Sequence, residues 1–146
     1  MEENISSLLL KLEEILRDFS RDFVGLESVH LLDGEGFTVV AFKSSDRNEK
    51  ILYRLINLLK EDFPTLNLLE IENPHTRLCL AKIPDTNYFI AVYASSRIAA
   101  GLVRVKIRNL SRKIRDHLIS LEKSVEQEEE VDVQDLMKLL EFLSKR

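Results

Sequence analysis

The stretch Tyr88 to Ala94 constrains the fold most, because it is apolar on both faces of an extended chain. Ile90, Val92 and Ala94 point one way and Phe89, Ala91 and Tyr93 the other, since strand side chains alternate. Such a strand must be covered above and below, which places it in the middle of a sheet with a helix on each face. The predicted architecture is therefore three-layered, α/β/α, in the mixed α/β (α+β) class.

The other strands are readable around it. Leu26 to Leu32 alternates apolar with polar, Asp33, Gly34, Glu35 and Gly36 interrupt, and Phe37 to Phe42 resumes, which is a hairpin. In that turn Asp33 is expected to accept from backbone amides ahead of it, and Gly34 and Gly36 to take positive φ. A calcium loop would need further oxygen ligands at fixed spacing, and none follow. Leu66 to Glu72 and Arg77 to Ile83 complete a five-stranded sheet, with turn residues at Asn73 to Thr76 and Pro84 to Asn87. Connections this short make neighbouring strands antiparallel.

Helices fill the gaps. Asn4 caps one that runs to about Phe19, with Ile5, Leu8, Leu9, Leu12, Leu16 and Phe19 on one stripe. Ser45 or Asp46 starts a second, which continues to Asp62 and is stopped by Pro64. A third begins after Ser95 or Ser96 with a start that is apolar nearly all round, from Ile98 to Val105, and therefore expected to be buried. It then narrows to a stripe through Ile107, Leu110, Ile114, Leu118 and Leu121. Glu126 to Glu130, with four glutamates, is expected to be a hydrophilic linker, and Asp132 to cap a final helix with a seam of Val133, Leu136, Met137, Leu140 and Leu143. The expected order is α1-β1-β2-α2-β3-β4-β5-α3 over residues 1–123, an acidic linker over 124–131 and an amphipathic helix over 132–146. No internal repeat is apparent.

The second helix has more apolar surface than one sheet can hide. Ile51, Leu52, Leu55, Ile56, Leu58, Leu59 and Phe63 spread over about 160°, where about 100° suffices. The remainder is covered either by a curved sheet and a loop or by a second subunit.

Composition excludes several functions. A chain of 146 residues with 32% charged and 45% hydrophobic side chains is globular, and a net charge of -4 argues against a dedicated nucleic-acid binder. Cys79, the single cysteine, has no disulfide partner and sits between two leucines in a strand, a poor setting for a nucleophile. His30, His75 and His117 have no metal-ligand spacing, and no phosphate-loop pattern occurs. The chain is expected not to be an enzyme, to need no cofactor and to hold no metal. The N-terminus lacks a basic region and its apolar run, Leu8 to Leu10, is too short for a signal peptide or a membrane span, so no membrane insertion and a cytoplasmic location are expected.

Charge is sorted along the chain. Residues 1–96 carry 10 basic and 16 acidic side chains, residues 97–123 carry 8 and 2, and residues 124–135 carry 0 and 6. Arg97, Arg104, Arg108 and Arg115 fall within about 40° of one another on the third helix. Such a ridge either pairs with nearby acids, the glutamate linker among them, or docks an acidic partner or phosphate groups. The seam of the last helix would lie in a groove of its own domain, of a dimer mate or of another protein.

The stretch VHLLDGEGFTVVAF, the apolar helix after it and YFIAVYASSRIAAGLVRVKIRNL together resemble the roadblock (dynein light chain) domain, particularly its MglB-type members. The resemblance covers about residues 5 to 121. It implies a homodimeric scaffold or activator of small Ras-like GTPases with no catalytic residue of its own. It further implies that the helix between the second and third strands packs beside its mate and that third strands join edge to edge. That arrangement puts Ile51, Leu52, Leu55, Leu59, Leu68 and Ile71 at the dimer interface. The GTPase-facing candidates are Arg54, Asn57, Lys60 and Glu61, with Arg104 and Arg108 as a second partner surface. A ligand-sensing domain of the PAS or profilin-like kind also wraps helices around five antiparallel strands, and would instead turn its apolar surface inward onto a cavity.

Overall fold

The computed structural model of the chain describes residues 4–144, and of residues 128–132 the backbone alone. Helix α1 (Ile5–Asp22) opens on Asn4, whose side-chain oxygen accepts from the Ser7 amide at 2.8 Å. Strands β1 (Leu26–Leu32) and β2 (Thr38–Phe42) follow, then α2 (Asp46–Asp62), capped by Ser45. Strands β3 (Leu68–Glu72), β4 (Thr76–Lys82) and β5 (Phe89–Ser95) lead into α3 (Ala100–Ser144).

The five strands form one antiparallel sheet of order β2-β1-β5-β4-β3. As expected from its two apolar faces, β5 is central. Helices α1 and α3 pack together on one face, where Leu8, Leu12 and Leu16 meet Val29, Ile90 and Ile114. Helix α2 covers the other, where Leu52, Ile56 and Leu59 meet Leu32, Leu78 and Leu80. The result is the three-layer α/β/α sandwich.

Asp33 organises the β1–β2 turn, its Oδ1 accepting from the amides of Glu35 at 2.9 Å and Phe37 at 3.0 Å. Of the two turn glycines only Gly36 has positive φ, +95°. A Cβ there would also lie 3.1 Å from the Tyr53 Cα and carbonyl oxygen, so this turn touches α2 directly. Gly34 answers a different need, because a Cβ on it would run into the Asn87 side chain.

Three expectations change at α3. Residues Ser96 to Ala99 form a turn, held by the Ser96 hydroxyl donating to Pro74 O at 2.8 Å, so Arg97 lies ahead of the helix and not on its ridge. The start of the helix is not buried all round: Val103 is, but Leu102 and Val105 are about half exposed. The helix then runs 45 residues without a break. Residues 124–131, expected as a linker, are helical, because that stretch contains no glycine or proline and glutamate is a good helix former. The final helix is therefore the far end of α3. Its seam residues Val133, Leu136, Met137, Leu140 and Leu143 are all exposed.

Candidate functional site

The apolar excess of α2 resolves into two parts. Leu52 is fully buried and Leu59 nearly so, both against the chain's own sheet, so neither supplies surface for a second subunit. This corrects their assignment to an interface: their positions on the helix point straight down onto Leu32, Leu78 and Leu80. Phe63, the C-cap, is 57% exposed at the helix end; along the helix itself what stays outside is Ile51, 40% exposed, and Leu58, 53% exposed, with Leu55 half-buried between them. Spaced by four and three, these lie within about 60° of one another on one flank of the helix.

The opposite flank is fixed by the hairpin. Asn57 Nδ2 donates to Glu35 O at 2.9 Å and to Tyr53 O at 2.8 Å, and the Tyr53 ring lies 5.1 Å from that of Phe37. The Ile51–Leu55–Leu58 flank thus faces the other way along the sheet, toward β3. There Ile71, paired with Leu78 and so on the α2 side, is 47% exposed. Strand β3 ends the sheet, so its outer edge has no strand partner among the described residues. Leu68, 42% exposed, lies on the other face of that strand with Glu70.

Arg54, Lys60 and Glu61 are exposed on α2, whereas Asn57 is committed to holding the hairpin. Arg54 borders a cleft between α2 and the turn, which includes Phe37, Lys50 and Tyr53.

The arginines of α3 form a second feature. Arg104 grips the Glu70 carboxylate with both Nε and Nη2, the latter at 2.8 Å. That hydrogen bond holds the Glu70 carboxyl below its usual range and raises Arg104. Arg115 pairs with Asp85, and Arg77 with Glu72 at 3.0 Å. These three acids, Glu70, Asp85 and Glu72, come from the sheet and its turns. Between α3 and the β3–β4 edge lies a groove of about 490 Å³ with Leu68, Ala81, Pro84 and Ile107 among its walls and Lys82, Arg104, Arg108, Arg112 and Arg115 around it. Among the described residues Lys82, Arg108 and Arg112 have no acidic partner. Lys82 and Arg112 were not singled out from the sequence. Arg112 stands one helical turn beyond Arg108, but only the fold brings Lys82 alongside.

The interior holds two titratable groups. His30 is fully buried, with Nε2 3.0 Å from Ser28 Oγ and its ring edge-on to Tyr93. Burial pushes its pKa down to about 4, so the ring is neutral at pH 7. Burial pushes the Cys79 thiol up to about 11, which leaves it protonated and a poor nucleophile. Among the described residues no cluster of three or more metal-binding side chains occurs, and no helix is long and apolar enough to cross a membrane.

A five-stranded antiparallel sheet of this order with helices on both faces is the roadblock fold, and solved structures match it closely. A roadblock/LC7 domain from Streptomyces avermitilis superposes with a TM-score of 0.64 at 13% identity, over 73% of this chain and 97% of that one. The fold is moreover MglB-like. Myxococcus xanthus MglB superposes at 0.67 and 15% identity over 77% of this chain and 91% of its own. An MglB with a tetrameric arrangement gives 0.69 at 8% identity over 79% and 93%. No protein-family model matches the sequence, and no curated protein matches it.

Proposed function

We propose that this chain is a homodimeric roadblock-type scaffold that binds a small Ras-like GTPase and modulates its hydrolysis of GTP or its location. The observation that carries the reading is the exposed Ile51–Leu55–Leu58 strip beside an unpaired strand edge at β3. Two copies related by a twofold axis would lay these strips against each other and join Leu68–Glu72 edge to edge, with Ile71 closing the seam. Leu68 and Ile71 thus stay in the interface, and Leu58 takes the place of the buried Leu52 and Leu59.

The same packing supports an outward use of the α2 surface. The space between α2 and the sheet is filled by Leu32, Leu52, Ile56, Leu59, Leu78 and Leu80, which favours the scaffold over a ligand-sensing domain. In the dimer, Arg54, Lys60 and Glu61 of both copies would form one composite polar surface around the joined helices. A GTPase lying across it would have its switch loops held in place, so any acceleration would come from positioning groups the GTPase already owns. The test is titration of the full chain against a purified small Ras-like GTPase from the organism that encodes it. Binding that weakens on Arg54→Glu with Lys60→Glu, with a changed rate of GTP hydrolysis, is the expected result. No binding and no change in rate would refute the proposal.

A further inference from the structure

We propose that the arginine-rimmed groove beside α3 receives the acidic stretch of α3 from a second copy of this chain. The groove combines an apolar wall, including Leu68, Pro84 and Ile107, with three cations, Lys82, Arg108 and Arg112, that have no acidic partner among the described residues. On this face α1 packs over β1 and β2 and α3 over β4 and β5. Edge strand β3 is the least covered, and Leu68 stays 42% exposed there. A further helix beside α3 would complete the layer.

The chain itself contains a segment of matching chemistry. Residues 124–135 carry six acidic side chains and no basic one, and the helix continues into Val133, Leu136 and Leu140, each more than half exposed. Lengths agree as well: Arg104 to Arg115 and Ser124 to Asp135 each span eleven helical steps, about 16 Å. Because α3 is unbroken from Ala100 to Ser144, Arg112 and Gln127 stand about 22 Å apart along one helix. The acidic segment therefore does not fold back onto its own groove, and its carboxylates meet these arginines only in trans, through the fork geometry that Arg104 already shows with Glu70. This contact lies on the face of the sheet opposite α2, shares only Leu68 with the α2–β3 seam, and does not depend on any GTPase.

The test mixes full-length chains carrying Arg112→Cys with full-length chains of different tag mass carrying Gln127→Cys, under mild oxidation. A disulfide needs Cα atoms within about 7 Å, so an in-chain bond between these positions is closed and any mixed product reports contact between copies. Cys79 is buried and does not compete. Glu13→Cys, at a position also exposed, on α1, replaces Arg112→Cys as the control for random collision. We expect a mixed disulfide well above the control that falls to the control level when Arg108→Glu is added. The same fall is expected in about 1 M salt, where charges are screened within about 3 Å, without altering the chain. A mixed yield no greater than the control, or one that neither Arg108→Glu nor salt reduces, would overturn the proposal.

Discussion

Replacing Leu52 and Leu58, six residues apart on α2, separates what the helix does for its own subunit from what it does for a second. Leu52 is fully buried in the cluster with Leu32, Leu78 and Leu80, so Leu52→Ala removes a packed side chain and leaves a cavity. A change of that kind costs about 3 kcal/mol. For a domain of this size it lowers the melting temperature by roughly 10 °C. Leu58 is 53% exposed, so about half of its transfer energy, about 1 kcal/mol, is still to be gained when a mate covers it. Two copies lose that twice in Leu58→Ala, about 2 kcal/mol per dimer, or a weakening of self-association of roughly thirtyfold. Urea unfolding at low protein concentration reads the first effect, and a sedimentation-equilibrium dilution series reads the second. The reasoning fails if Leu58→Ala lowers subunit stability as much as Leu52→Ala does, or if it leaves the dimer constant unchanged.

Gly36→Ala places a side chain at φ +95° and against the Tyr53 backbone, so a loss of about 2 kcal/mol is expected in urea unfolding, while α2 should remain folded by circular dichroism. His30 is held neutral in the folded chain, with a pKa of about 4 against 6.5 when unfolded, so the unfolded state binds the proton first as pH falls. The stability concerned is fully present above about pH 6.5 and is lost progressively down to about pH 4, of order 3 kcal/mol in all. His30→Leu should flatten that part of the pH dependence in thermal melts at pH 7 and 4.5, and an unchanged slope would contradict it. Cys79, buried and protonated, should react with a thiol reagent only at the rate of unfolding, and rapid modification of the native chain would show that β4 is open.

Much of the fold was legible because the strand pattern is strict. Tyr88 to Ala94 is apolar on both faces and lies at the centre of the sheet, and the DGEG interruption marks a turn whose Asp33 caps it as anticipated. The over-wide apolar arc of α2 was real, but periodicity alone ranks Leu52, Leu55, Leu58 and Ile51 equally. Only the rotation of the helix, set by Asn57 on Glu35 and Tyr53 beside Phe37, decides which of them point down. The acidic run in α3 misled for a simple reason. Hydrophilicity ends burial, which among the described residues it does here after Leu121, yet it does not end a helix that lacks glycine and proline. The groove was illegible because it needs β4 next to α3: Lys82 and Pro84 are distant in sequence from Arg108 and Arg112. Likewise Glu70 could not be matched to Arg104 from spacing, since 34 residues separate them.

The central claim is that the Ile51–Leu55–Leu58 flank and the β3 edge are covered by a second copy. Sedimentation equilibrium of the unaltered chain in about 1 M salt, where the charged contact through α3 is screened, tests it most directly, followed over a dilution series and repeated with Leu58→Asp paired with Ile71→Asp. A mass of twice 16.9 kDa that falls toward a single chain in the double variant is the expected result. A single-chain mass at every concentration, or a dimer indifferent to both substitutions, would contradict it.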